Sequence, residues 1–508
     1  MARPRYVFAL AAAAVVTVLA GCGSTVEPTA TETLGPVNPG LGQPGVTGTT
    51  PATGAPSSSG DGAPLPTTSA NGAGQPTFPT SGPSGGANAP TDTTPTGSQS
   101  SRAAGQTGPI TVGFLLTGTS NASQYGASLG NTVTERGVDQ ALINAINKKG
   151  GVDGRRLKVV FASTDTGSTN WDNDFQAACA TFTQDHHVAA VLGYEFTYEP
   201  DFESCLAKQG IPHLNDGFNV PSNAVLSQFP LFWSLDVPTI GERSIAKFQG
   251  AINTGFLSPK SKLGIALDDC PGTQQAWSAE VLPFLKAHHI DVAAVTTVGC
   301  GTGNNAGTTS EITGLTNTLL KFRSKGVDRI SFVSVSEGPV LYLGTVAAQA
   351  QGYKPGWIVS SLGQLAITGG ESPIPQMQNT RGFGWLPSQD IPPQYTPKQN
   401  ASQRRCLSLL HSQKVRPRAA ADFGYAYSAC EAVFVYEAAL RADGGNTDGT
   451  AISNAIAHLG NFQSTLNLAG KSVFSDARRN NAPMVYKPIN WDGGCHCFRY
   501  GHQTFTMP

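Results

Sequence analysis

Charge is scarce in this sequence: only 13% of its 508 residues are Asp, Glu, Lys or Arg. With 33 basic residues against 34 acidic ones the formal net charge is −1, so composition gives no electrostatic case for nucleic acid as a partner. Long apolar runs are missing too. The longest, Val7 to Leu19, matches a secretory h-region and is short for a bilayer span. There is no Walker A phosphate loop and no H-E-x-x-H zinc motif. Gly82-Pro83-Ser84-Gly85-Gly86 matches G-x-S-x-G, but neither the strand nor the helix that a nucleophile elbow needs can form around it. Gly301-Thr-Gly-Asn-Asn-Ala-Gly307 fails G-x-G-x-x-G by one residue. Nothing here argues for an enzyme.

Metal chemistry has little support either. His186-His187 and His288-His289 sit near predicted helix ends before strands, where solvated polar residues are normal. Cys495-His496-Cys497 with His502 resembles a metal site, yet in an oxidising compartment a disulfide is the better reading. No metal or cofactor is expected.

What is present starts with an export signal. Arg3 and Arg5 precede the apolar run, which ends in Leu19-Ala20-Gly21-Cys22. Small residues before a cysteine resemble the bacterial lipobox, in which cleavage frees Cys22 for lipid attachment. Residues 1–21 are read as the signal peptide. An acyl chain such as palmitate on Cys22 then holds the protein at the outer, extracytoplasmic face of the cell membrane.

From 22 to 108 the chain is Pro, Thr, Gly, Ser and Ala with almost nothing to bury, so it is expected to be a disordered linker. Its roughly 86 residues give a coil end-to-end distance of about 50 Å. Its Thr/Pro content also suits O-glycosylation.

Residues 109–508 have a different texture. Ile110 to Leu116 is a short apolar strand, followed by helical spacing from Gly130 to Lys149 that stops at Gly150-Gly151. Leu157 to Ala162 reads as a strand, Asp174 to Asp185 as a helix and Val188 to Leu192 as a strand. The alternation resumes with strands at 262–267, 291–298, 329–335 and 357–361. Helices fall between them at 277–288, 313–325 and 339–351. Such alternation predicts right-handed βαβ units: an α/β fold of two doubly wound parallel-sheet lobes.

Eight cysteines remain once Cys22 is set aside, an even number that export should oxidise. Sequence alone does not fix their connectivity. Positions on the predicted elements suggest Cys179 with Cys205 on successive helices and Cys270 with Cys300 beyond two strands. Cys406 with Cys430 on two later helices leaves Cys495 for Cys497.

Several stretches carry a resemblance. Tyr125-Gly126, Gly137-Val-Asp-Gln-Ala-Leu-Ile-Asn-Ala-Ile-Asn147, Lys149-Gly-Gly-Val-Asp-Gly154 and Gln209-Gly-Ile-Pro-His213 resemble the branched-chain amino-acid (Leu/Ile/Val) binding proteins. These are type I periplasmic-binding-protein folds that serve ABC importers. The likeness is good at the N-terminal end of the body and weak beyond Gly255. It implies two lobes joined by a three-strand hinge, lobe 1 at about 109–235 and 362–460 and lobe 2 at about 236–361 and 461–508. Lobe closure over a small polar solute, docking on an ABC permease, and no reaction are also implied.

The strand-end loops are where ligand contacts are expected. In lobe 1 these are Tyr125, which matches the family's ligand-packing aromatic, then Tyr194, Glu195 and Thr197, then Asn215 and Asp216. In lobe 2 they are Thr273, Glu337, Ser361 and Gln364. Amino-acid-binding members hold the ligand ammonium with a glutamate that should fall near Ser360-Ser361-Leu362, and none is there. Either Glu337 or Glu195 supplies the charge, or the ligand is not a simple amino acid. Both carboxylates read as solvated loop residues, so the second outcome is expected. A ligand sensor of the same fold, signalling to a membrane partner, is the nearest rival, and a cell-wall hydrolase the more distant one.

The anchor yields a direct test. Cys22→Ala is expected to abolish fatty-acid labelling and to release the body or leave the precursor uncleaved; equal labelling of variant and parent is the contrary result.

Overall fold

Two sheets, one parallel and one mainly parallel, organise the described residues. In the computed structural model the described residues are 108–508, apart from 119–131, 166–167, 169, 194–198, 218–221, 236, 271, 301–304, 336 and 476–484. The expected signal peptide, Cys22 and the linker lie outside them.

The smaller sheet holds β1 (Ile110–Gly118), β2 (Leu157–Asp165), β3 (Val191–Gly193), β4 (His213–Asn215) and β5 (Phe232–Ser234) in the order β2-β1-β3-β4-β5, all parallel. The larger sheet begins with β6 (Lys262–Asp268), β7 (Asp291–Val298), β8 (Arg329–Val333), β9 (Gly356–Ser360) and β10 (Thr380–Gly384), again parallel. A small antiparallel pair, β11 (Gly460–Phe462) and β12 (Ser472–Phe474), stands apart. The larger sheet then closes with antiparallel β13 (Val485–Asp492), β14 (Cys497–Tyr500) and β15 (Phe505–Thr506). Residues from 362, which the sequence reading gives to the first lobe, still contribute β10 to the larger sheet.

The helix-to-strand turn singled out in the sequence has a local cause. Thr134 caps the helix Glu135–Lys148 by accepting from the Gly137 N–H at 3.1 Å. At the far end Asn147 donates to the Leu157 carbonyl at 2.9 Å and accepts from its N–H at 2.8 Å, fastening the helix to β2. Gly150 and Gly151 have φ of 102° and 76°, and a Cβ on Gly151 would overlap the Arg155 carbonyl. The Asn-x-x-Gly-Gly pattern is therefore a turn that only these residues complete.

Boundaries shift where packing overrides pattern. The helix expected at 174–185 starts at Trp171 and ends in a π turn, Thr181–Asp185. Trp171 belongs because its ring packs against Phe175 at 5.1 Å and its Nε1 donates to Glu199 at 2.7 Å. His187 and His289 follow helix ends with φ of 45° and 56°, so these histidines take the left-handed residue that stops a helix.

Tryptophans anchor both cores with their polar edge satisfied. Trp233 is buried and donates to Ser453 at 3.0 Å; Trp357 is buried, stacks on Phe332 at 5.9 Å and donates to Gln376 at 3.0 Å. Helix Ala420–Ala442 lies against helix Glu135–Lys148 and the edges of β3 and β4, and so completes the first lobe from a distant part of the chain. No helix among the described residues is long and apolar enough to cross a membrane.

The structure joins Cys179 to Cys205, Cys270 to Cys300, Cys406 to Cys430 and Cys495 to Cys497, the pairs suggested by the predicted elements. Both sulfurs of the Cys495-His496-Cys497 group thus bond to each other. The His496 ring stacks on Trp491 instead, with centroids 6.3 Å apart.

Cys179–Cys205 closes a separation of 26 residues, worth about 3.5 kcal/mol on the chain-entropy account. The double variant Cys179→Ser/Cys205→Ser is expected to lose stability of that order in urea unfolding. Unreduced peptide maps should link Cys179 to Cys205 alone.

Candidate functional site

In parallel sheets, backbone polarity is left open at the carboxyl ends of the strands, beside the point where strand order reverses. That point lies between β1 and β3 in the smaller sheet and between β6 and β8 in the larger one. Gly193 closes β3 there with φ 118°, and a Cβ on it would run into the Leu115 carbonyl of β1. The loops that follow β1 and β3 carry Tyr125, Tyr194, Glu195 and Thr197, which all lie outside the described residues.

On the larger sheet, the strand ends are held by buried charge. Asp268, the last residue of β6, accepts from the Thr273 hydroxyl, the Cys270 N–H at 3.3 Å and the Val335 N–H at 2.6 Å. Burial raises its pKa above the ordinary range, against the pull of these donors and of Arg243. Arg243 and Lys247, both fully buried on helix Ile240–Asn253, donate to carbonyls where β8 ends: Arg243 to Ser334 and Val335, Lys247 to Phe332. Burial pulls Arg243 down to about 10 and also lowers Lys247, while Glu337 pulls both back up. The Arg243 Nε has no hydrogen-bond partner.

Glu337 differs from its sequence expectation. It is not a solvated loop residue but fully buried, with one oxygen on the Lys247 Nζ at 2.6 Å and the other on the Ser360 N–H at 2.7 Å. The reason is Lys247: an ammonium at zero exposure needs a counter-charge, and it comes from 90 positions along the chain. Thr273 is likewise turned inward, onto Asp268.

Ser361 donates to Asp390 at 3.1 Å and accepts from the Trp385 and Leu386 N–H groups at 2.7 and 3.1 Å. Asp390 also accepts from Tyr500 at 2.5 Å; burial pushes its pKa up to about 7. Gln364 is part-exposed with φ 50°, a strained conformation for a residue with a side chain, and it packs beside Gly338.

The smaller sheet has the opposite character. Asn215 accepts from the Gly217 N–H at 2.9 Å, leaving Asp216 buried at the end of β4. Glu135 accepts from the Thr117 N–H at 3.0 Å, where β1 ends, and Asp139 one turn on accepts from Tyr425 at 2.9 Å. Burial is the main cause that raises Glu135 and Asp216 to about 7 and lifts Asp139 further; the Asp216 charge adds to the rise of both partners. His213 acts on Asp216 in the other direction, but its Nδ1 is engaged by Glu203 at 2.6 Å. For these acids the folded pKa exceeds the unfolded one, so the folded state holds extra protons. Their contribution to stability therefore falls as pH rises from about 4 to 7.

The two edges meet. Gly272, between β6 and Thr273, has φ 85°, and a Cβ there would come within 2.8 Å of the Ser222 hydroxyl that caps the helix between β4 and β5. Sequence reasoning named Asn215, Asp216, Thr273, Glu337, Ser361 and Gln364 on these edges. It missed Glu135, Asp139, Arg243, Lys247 and Tyr425. A signal existed: Glu135/Asp139 and Arg243/Lys247 are like-charged i, i+4 pairs, which an isolated helix disfavours.

Lys247→Met is expected to cost about 3–5 kcal/mol in urea unfolding, because it strands the Glu337 carboxylate. Adding Glu337→Gln should recover part of that loss.

No known family and no curated protein matches the chain by sequence. Solved structures do match. A solute-binding protein of an ABC transporter from R. palustris, in complex with 4-hydroxybenzoate, superposes with TM-score 0.57 at 14% identity over 79% of this chain and 98% of that one. An ABC transporter substrate-binding protein from Desulfitobacterium hafniense in complex with Leu gives 0.51 at 14% over 77% and 100%. A branched-chain amino acid transporter substrate-binding protein from Streptococcus pneumoniae with isoleucine gives 0.52 at 13% over 77% and 99%. The fold of this chain is that of the type I periplasmic solute-binding proteins of the leucine/isoleucine/valine kind.

Proposed function

We propose that this protein is an extracytoplasmic solute-binding lipoprotein of an ABC-type importer. It captures a small polar solute between the two sheet edges, closes over it and presents it to a membrane permease, and it performs no reaction. Lipid on Cys22 anchors it, and residues 22–108 act as the tether. The two lobes run at about 109–235 with 362–460 and 236–361 with 461–508, the β10 strand excepted.

The observation that carries this reading is the opposition of two strand-end edges, each at a reversal of strand order, that touch at Gly272 and Ser222. One edge is preorganised by the buried Lys247–Glu337 ion pair and by Arg243, and the other gathers the acids Glu135, Asp139 and Asp216. The folds that match belong to proteins solved with aromatic acids or branched amino acids.

Leucine is a poor candidate for this chain. Glu337, the second-lobe carboxylate weighed as the counter-charge for an amino-acid ammonium, is already engaged by Lys247 and Ser360. Calorimetry on the intact protein is expected to show weak or no binding of leucine, isoleucine and valine. A thermal-shift screen of small polar metabolites should return at least one ligand that raises the melting temperature. Micromolar leucine binding would reverse the first expectation, and a screen without any stabilising solute would remove the function itself.

A further inference from the structure

The acid at the smaller sheet's edge is more than the structure needs. Glu135 and Asp139 extend from one helix and Asp216 from the end of β4; the Asp216 charge acts on both of the others, and that of Glu135 on Asp139. Helix Ala420–Ala442 contributes a phenol, Tyr425, not a cation. The nearest basic side chain in sequence, Arg136, turns away to lie over the Phe161 ring at 4.4 Å. His213, the basic group that acts on Asp216, is held by Glu203.

Asp216 itself is 3% exposed, and its Oδ1 has no hydrogen-bond partner. A buried carboxylate oxygen without a donor is costly to keep, by roughly 1–3 kcal/mol for a neutral polar group and more for a charged one. It sits where solute is expected to bind, one residue beyond the last hydrogen-bonded position of β4. The missing donor is therefore one that arrives with the ligand.

No group of three or more Asp, Glu, His or Cys among the described residues could hold a metal ion. Carboxylates that act on one another without converging on a point suit an extended cation, whose N–H groups reach separate oxygens.

We infer that the solute taken by this cleft is an organic cation, an alkyl ammonium or guanidinium compound, received by Asp216, Glu135 and Asp139 on the smaller sheet's edge. This rests on the solute-binding reading and assigns its ligand class. It also places the charged end of the ligand on the first lobe, opposite the lobe whose Glu337 is taken. Chains with more than one basic nitrogen fit best, since they satisfy the Asp216 oxygen and the Glu135–Asp139 pair together.

The test is a thermal-shift and calorimetric comparison on the intact protein. Agmatine, putrescine, spermidine and arginine serve as cationic probes, with leucine and 4-hydroxybenzoate as matched controls. At least one cation is expected to raise the melting temperature by several degrees and the controls not at all. Asp216→Asn should weaken that cation at least tenfold while raising the melting temperature of the unliganded protein, since it removes a buried negative charge. Glu135→Gln should weaken it as well, and keeps the test open should the first variant not fold. A purely structural role for Asp216 predicts the reverse, a lower melting temperature without ligand. Stabilisation by a control and by no cation would overturn the assignment and leave the solute-binding reading standing. Cation binding that survives both substitutions would overturn it too, and silence from every probe would count against both.

Discussion

The Lys247 ammonium, fully enclosed between helix Ile240–Asn253 and the end of β8, sets the terms for the second lobe. An isolated ammonium there would be too costly to keep charged, so its surroundings converge on it: the Phe332 carbonyl, the Glu337 carboxylate and, through that carboxylate, the backbone of Ser360. Three strand or helix ends are tied by one charge. Arg243, one turn earlier, does the same for Ser334 and Val335, and Asp268 holds Val335 from the other side. The loops at the edge of the larger sheet are thus fixed from behind.

That arrangement explains why the two edges differ. Behind the larger sheet the buried bases Arg243 and Lys247 stand beside the acids Asp268 and Glu337 and face inward. At the smaller sheet, among the described residues, Glu135, Asp139 and Asp216 have no Lys or Arg among the causes of their shifts, only His213 on Asp216, and all three carry raised affinities for protons. One edge is fixed from behind by paired charge, and the other gathers acid.

Local features were readable from the sequence and distant ones were not. The Asn147–Gly151 turn was legible because its bonds run between residues ten apart or closer. The parallel strands β1, β2, β6 and β7 were legible as short apolar runs. β10 was not: it reads Thr-Arg-Gly-Phe-Gly, with glycine at 382 because a Cβ there would come within 2.6 Å of Leu365. The antiparallel strands after 485 also escaped notice, since their pairing with β10 spans about a hundred residues of chain. Glu337 looked solvated because its partner, Lys247, is equally remote. On the smaller edge, Asp216 was visible as a strand-end residue; the acids that act with it come from a helix whose only signal was its like-charged Glu135/Asp139 spacing.

The placement of the disulfides has a consequence for how such a molecule responds to its surroundings. Cys179–Cys205 stays with the smaller sheet, Cys270–Cys300 and Cys495–Cys497 with the larger, and Cys406–Cys430 joins helices that pack on the first lobe. None of these crosslinks spans the boundary at Gly272 and Ser222. Oxidation therefore stiffens each half without setting the angle between them. A change in redox conditions would alter how long each half holds its fold rather than how the two halves are set against one another.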